Sequence, residues 1–184
     1  MQAKVSIDHE AAVKAVADSE KSLSRVELAK AAALRAEARG AELIAEAEDK
    51  ARQAFLDGAE PGRDLLQETV EAREQVVLYR RVVAALRVDE AAAKFDLFVK
   101  RMEEAESREV MFGELLQEHI DAQAEVARGL AAIEGGDVAV GIEGPRSTYL
   151  KEAVKAAGAE ASSMRSRLSQ EEFAVQVARQ QVPR

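Results

Sequence analysis

The sequence predicts an all-α fold: a long antiparallel helical hairpin of coiled-coil type, an irregular linker, and a third long helix at the C-terminal end. Three observations carry this. Residues 64–134 contain no proline and only two glycines, Gly113 and Gly129, and their apolar positions recur at helical spacing. Alanine dominates an apolar share of 47%, aromatics are 4% and tryptophan is absent; such small side chains let helices approach closely but bury little area each, which favours helix on helix over a sheet. Strong turn signals cluster in only two places, Gly58 to Gly62 and Gly135 to Pro145. A helix of about seventy residues would run on the order of 100 Å, longer than any single compact core.

The first helix is expected over residues 8–57. Asp8 can accept from the free amides of a first turn, with Glu10 at the positive end of the helix dipole. Val13, Val16, Leu23, Val26, Leu34, Ile44, Ala47, Ala51 and Phe55 keep roughly to one side, interrupted by Lys30 and Glu37. Glu10 with Lys14, Glu46 with Lys50 and Glu48 with Arg52 are spaced as exposed helical ion pairs. A turn at 58–63 follows: Gly58 can adopt the left-handed conformation that closes a helix, Pro61 cannot continue one, and Asp64 with Gln67 resembles a capping box. So short a connection makes the two helices antiparallel neighbours, with residues whose numbers sum to about 120 lying opposite each other.

The second helix is expected over 64–134. Val76, Val77, Leu78, Tyr79, Val82, Val83, Leu86 and Val88 cover too wide an arc for one partner, so a second surface is needed. Farther on, Phe98, Met102, Ala105, Glu109, Phe112, Leu116, His119, Gln123, Val126, Leu130 and Ile133 alternate spacings of four and three, a coiled-coil seam. Helix 1 runs out near Phe112, so the end of this seam overhangs it. In the linker, 135–146, Val138, Val140 and Ile142 alternate as a short strand over 137–142 would, although an ordered loop is the favoured reading. A third helix over 147–184 opens at Ser147. Leu150, Val154, Ala157, Ala161, Met164, Leu168, Glu171, Val175 and Ala178 give the cleanest heptad in the chain, while Ser169 with Glu172 offers a break near 169. This helix can pack on its own hairpin or on another chain. The interface residues expected from the two seams are Phe112, Leu116, His119, Val126, Leu130, Ile133, Leu150, Val154, Met164, Leu168 and Val175.

Chemistry is sparse. Absence of cysteine excludes disulfides and thiolate sites. Gly136 to Gly141 has the glycine interval of a phosphate-binding loop, but Ile142 and Glu143 stand where Lys and Ser or Thr are required. A bundle-type di-metal site needs a glutamate three residues before each ligating histidine, and Ser6 and Leu116 occupy those places before His9 and His119. His119 is instead expected to pack or to hydrogen-bond across helices. With acidic groups spread along helical faces rather than gathered in a cleft, no catalytic residue, metal or cofactor is expected. Residues 61–134 carry sixteen acidic and ten basic side chains, a balance that repels phosphate backbones and disfavours nucleic acid as a partner. Neither a signal peptide, a membrane span nor a basic amphipathic helix is legible, so a cytoplasmic protein, or one in a particle assembled there, is expected.

The Ala, Glu and Arg alternation from Lys30 to Gln53 resembles in composition the stalk helices of rotary ATPases and export-apparatus adaptors. An acidic helical rod with a less acidic C-terminal segment is similar in outline to phage scaffolding proteins. Periodicity and these likenesses give two expectations. The first is a non-catalytic structural or scaffolding coiled-coil protein that self-associates or bridges subunits of a larger assembly, such as a virion-type particle. The alternative is a soluble adaptor or stalk-like subunit that docks another protein, such as an ATPase.

Overall fold

The computed structural model describes the backbone of residues 2–134 and 144–182 and the side chains of residues 8–132 and 144–182. It is all-α: α1 spans Gln2–Leu56, α2 Arg63–Glu134 and α3 Pro145–Gln180. The strand considered for 137–142 lies outside the described residues.

The helix ends follow local chemistry, not always at the expected residue. Gly58 has φ of 75°. Its amide donates to the Phe55 carbonyl at 3.1 Å while that of Ala59 donates to Ala54 at 2.9 Å, the paired bonds that satisfy the last carbonyls of α1. At the other end α1 runs through Asp8 to Gln2, so Asp8 is an interior helical residue and not a cap. The capping box expected at Asp64 and Gln67 does not form: Gln67 donates forward to Glu71 at 2.9 Å, and α2 starts on the Gly62 carbonyl, to which the Leu66 amide donates at 3.3 Å. α3 opens two residues before Ser147, at Pro145, whose fixed φ suits a first helical position. Ser147 still closes the end. Its hydroxyl accepts from the Gly144 amide and donates to the Gly144 carbonyl, both at 3.0 Å, and its side chain is fully buried. No break occurs at Ser169.

The chain forms two units. One comprises Met1–Glu20 and Asp96–Glu171. Here the start of α1 lies antiparallel to α2 through Ser19, which donates to Asp96 at 2.6 Å, Arg101, which donates to Glu20 at 2.9 Å, and His9 opposite Ser107 at 3.3 Å. α3 also lies antiparallel to α2, with Arg108 donating to Glu160 at 3.1 Å, Arg165 paired with Glu106, and the Arg167 guanidinium 5.8 Å from the centre of the Phe98 ring. Leu97, Ala105, Leu150, Ala157 and Ala161 are the buried apolar residues of this unit.

The other unit comprises Lys21–Phe95 and Glu172–Arg184. It is the turn-bearing part of the hairpin, with the end of α3 against Ala92 and Phe95. Its seam is built from Ala33, Ala47, Ala72, Val76 and Val83, with Val175 buried from α3. The cross-helix pairs are Glu48 with Arg73 at 2.6 Å, Glu37 with Arg80 at 2.9 Å, and Lys30 with Glu90. In both units the residue numbers of the α1–α2 pairs sum to roughly 120, the register that the position of the turn dictates. Lys30 and Glu37, the two interruptions of the α1 apolar stripe, are members of these pairs. Glu48 reaches across to Arg73, and Arg52 turns to Asp49 at 3.6 Å, so the expected bridge between Glu48 and Arg52 does not form. Glu10 with Lys14 and Glu46 with Lys50 are likewise absent from the salt bridges of the described residues.

Helix contact is close at Gly40, where an added Cβ would stand 2.7 Å from Cγ2 of Val76. A β-branched side chain has little rotamer freedom to retreat. Gly40→Ala is therefore expected to destabilise the protein: overpacking costs about 1–3 kcal/mol, against about 1 kcal/mol gained in helix propensity. In a Val76→Ala background the same substitution should be neutral or stabilising. Urea unfolding of the four chains tests this, and additive effects would exclude the contact as the cause.

Candidate interaction surfaces

Two sets of side chains bear on function: the seam residues expected from the heptads, and the apolar residues left at the surface. Most of the first set is used within the chain. On α2, Phe112, Leu116 and His119 are half-buried, on the same face as Phe98, Ala105 and Glu109, where α3 packs. Ala105 is fully buried, and the Glu109 carboxylate lies against Gly158. On α3, Leu150 and Val175 are buried and Val154, Met164 and Leu168 are half-buried. α3 thus packs on α2 of its own chain along the stretch from Phe98 to Glu109. Val126 and Leu130 differ, being 58% and 38% exposed, and the Ile133 side chain lies outside those described. His119 approaches Gln123 of its own helix, 3.2 Å away. His9 approaches Ser107 of another helix at 3.3 Å.

The second set lies mainly in the turn-bearing unit. Leu28, Leu34, Leu43, Phe55 and Leu56 of α1 are exposed there, and so are Leu66, Val70, Val77, Leu78 and Val82 of α2. The sequence anticipated the α2 part, because the arc from Val76 to Val88 is too wide for one neighbour. Val76 and Val83 are buried on α1, while Val77, Leu78 and Val82 find no second surface among the described residues. Leu43 and Leu66 were missed: periodicity alone does not say that a seam built of alanines is narrow enough to exclude them.

The two flanks of the α1–α2 seam differ in chemistry. Arg73 and Arg80, three residues before and four after the buried Val76, reach Glu48 and Glu37 and bridge one flank. On the other flank Gln75 and Tyr79 line an open groove with Ala32, Ala36, Gly40 and Leu43. Leu43 and Gln75 also line its continuation toward the turn, beside Ala47 and Ala72. Charge is divided along it. Arg35 and Arg39 border the stretch away from the turn; Glu46, Glu68 and Glu71, with Lys50, border the stretch toward it. None of these charged groups makes a salt bridge among the described residues.

No group of three or more His, Asp or Glu among the described residues is arranged to hold a metal ion, and no helix there is long and apolar enough to cross a membrane. One electrostatic feature is a triad. Glu90, its side chain 13% exposed, accepts from Lys30 on α1 and from Lys94 on its own helix at 2.8 Å. Hydrogen bonds from Lys30 and then Lys94 hold its carboxyl below the ordinary value of 4.5 against the opposing effect of burial, and the bond to Glu90 raises Lys94.

A carboxyl whose pKa is lowered on folding stabilises the folded state above its unfolded value, and that contribution is lost as pH falls through the folded value. Glu90→Gln should therefore cost about 1–2 kcal/mol at neutral pH, as expected for hydrogen bonds to a charged group, and less at pH 3, below the unfolded value of the carboxyl. Urea unfolding of both chains at the two pH values checks this; a difference independent of pH would remove the triad as its source.

No family model, no curated protein and no solved structure matches this chain, so its function is read from these surfaces.

Proposed function

We propose that this protein is a non-catalytic structural subunit that self-associates through its helical faces within a larger assembly. The observation that carries the reading is the placement of large apolar side chains. The hairpin seam is closed by alanine, glycine and valine, while Leu43, Leu66, Val70, Val77, Leu78 and Val82 remain outside. Singly exposed apolar residues are ordinary; a concentration of them on one helical hairpin is the signature of a surface that is covered in the working state. A particle built of many such subunits, of the virion type, is a setting that suits it.

The α3 contacts refine where association occurs. Because Leu150, Ala157, Ala161 and Val175 are buried within the chain, α3 has little of its heptad left to offer, and the hairpin carries the interface. Light scattering after size-exclusion chromatography across a concentration series should give a mass of two or more chains. Leu78→Lys or Leu43→Lys, both at exposed positions, should lower that mass while leaving helical content unchanged. A monomer at every concentration would sink self-association and transfer these faces to a different protein, as an adaptor requires.

A further inference from the structure

Deepening the self-association reading on which it rests, we infer that a second copy of this chain docks antiparallel in the groove between α1 and α2, about a two-fold axis at the level of Leu43 and Gln75. The distribution of charge selects this occupant. The groove carries two basic groups away from the turn and three acidic groups with one lysine toward it, so its two halves have opposite net charge. A surface of this kind is complementary to itself when rotated by half a turn, which is the geometry of an isologous interface.

The spacing matches as well as the sign. Arg39 lies four residues from Leu43, away from the turn, and Glu71 lies four residues from Gln75, toward it. At ~1.5 Å per residue each is roughly 6 Å from the axis level, so rotation brings Arg39 level with Glu71 of the second copy and, since each helix then lies opposite its own counterpart, face to face with Glu46, three residues from Leu43 toward the turn. Arg35, eight residues from Leu43, comes level with Glu68, seven residues from Gln75, by the same operation. Lys50 is the one like-charged group facing Arg35 in this arrangement, and Glu46 four residues before it is placed to shield it. In the single chain Arg35 and Arg39 stand four apart on one helix without a salt bridge among the described residues, a like-charge spacing that the second copy relieves.

Packing favours the same occupant. Ala32, Ala36, Gly40, Ala47 and Ala72 give the groove a floor of small side chains, which permits close approach of another helix. Leu43, 51% exposed, sits at the axis and meets its own counterpart; Leu78 and Val82 extend the apolar contact along α2. The opposite flank lacks this self-complementarity because its charges are already joined across the hairpin, Arg73 to Glu48 and Arg80 to Glu37.

A residue on a two-fold axis cross-links to itself, and the chain contains no cysteine to interfere. The full-length chain carrying Leu43→Cys, treated with a mild copper–phenanthroline oxidant, should form a disulfide-linked dimer. Val77→Cys, equally exposed on the other flank, should not. Arg39→Glu should halve the mass measured by light scattering, and adding Glu46→Arg should restore it. If the unmodified chain is oligomeric but Leu43→Cys stays uncross-linked, Val77→Cys cross-links instead, or the charge reversal leaves the mass unchanged, this interface is overturned while self-association stands. A monomer at every concentration overturns both.

Discussion

Close approach of helices through alanine is the constraint on which the rest of this structure depends. A seam of Ala33, Gly40, Ala47 and Ala72 brings α1 so near to α2 that Val76 meets the Gly40 backbone with no room for a methyl group. Side chains the size of leucine cannot enter such a seam without opening it. They are displaced to its flanks, where Leu43 on α1 and Val77 and Leu78 on α2 remain exposed. Tight internal packing and an apolar exterior are thus one fact seen from two sides.

Within so narrow a seam, charge reinforces the register that the turn sets. Alanines are interchangeable, and a hairpin held by them alone could slip by a turn at little cost. Lys30 with Glu90, Glu37 with Arg80 and Glu48 with Arg73 would all be broken by such a slip. Individually, part-exposed pairs add little stability. Their collective effect is to make one register better than its neighbours, a role that buried or half-buried ionic groups serve in other helical pairs.

Much of this was legible in the residues. Helix count, the antiparallel hairpin, its register and the left-handed Gly58 follow from turn chemistry and periodicity, because one short connection fixes every opposing pair on both sides of it. Helix starts were less legible: Asp8, Asp64 and Ser147 all have cap chemistry, yet α1 runs past the first, and α2 and α3 begin on Gly62 and Gly144. A capping side chain shows that an end is affordable at a residue, not that the chain stops there. The seams of α2 and α3 were both read, but not that they belong to each other, since a heptad specifies a complementary stripe without naming its owner. The groove beside Leu43 was invisible for a different reason. It exists because its floor is alanine and glycine, and its charge division emerges only when residues from two helices are set side by side.

The order of the cross-helix pairs along the hairpin bears on how the chain reaches its fold. Glu48 and Arg73 are 25 residues apart in sequence, Glu37 and Arg80 43, Lys30 and Glu90 60, and His9 and Ser107 98. Closing the last of these directly from the unfolded chain costs only about 1 kcal/mol more than closing the first, since each doubling of a loop adds roughly 0.6 kcal/mol. Once the pair nearest Gly58 has formed, however, each following pair closes a short remaining loop. Contacts therefore accrue from the turn outward, and the His9 end of α1, which has the longest chain to bring home, is the last part of the hairpin to settle.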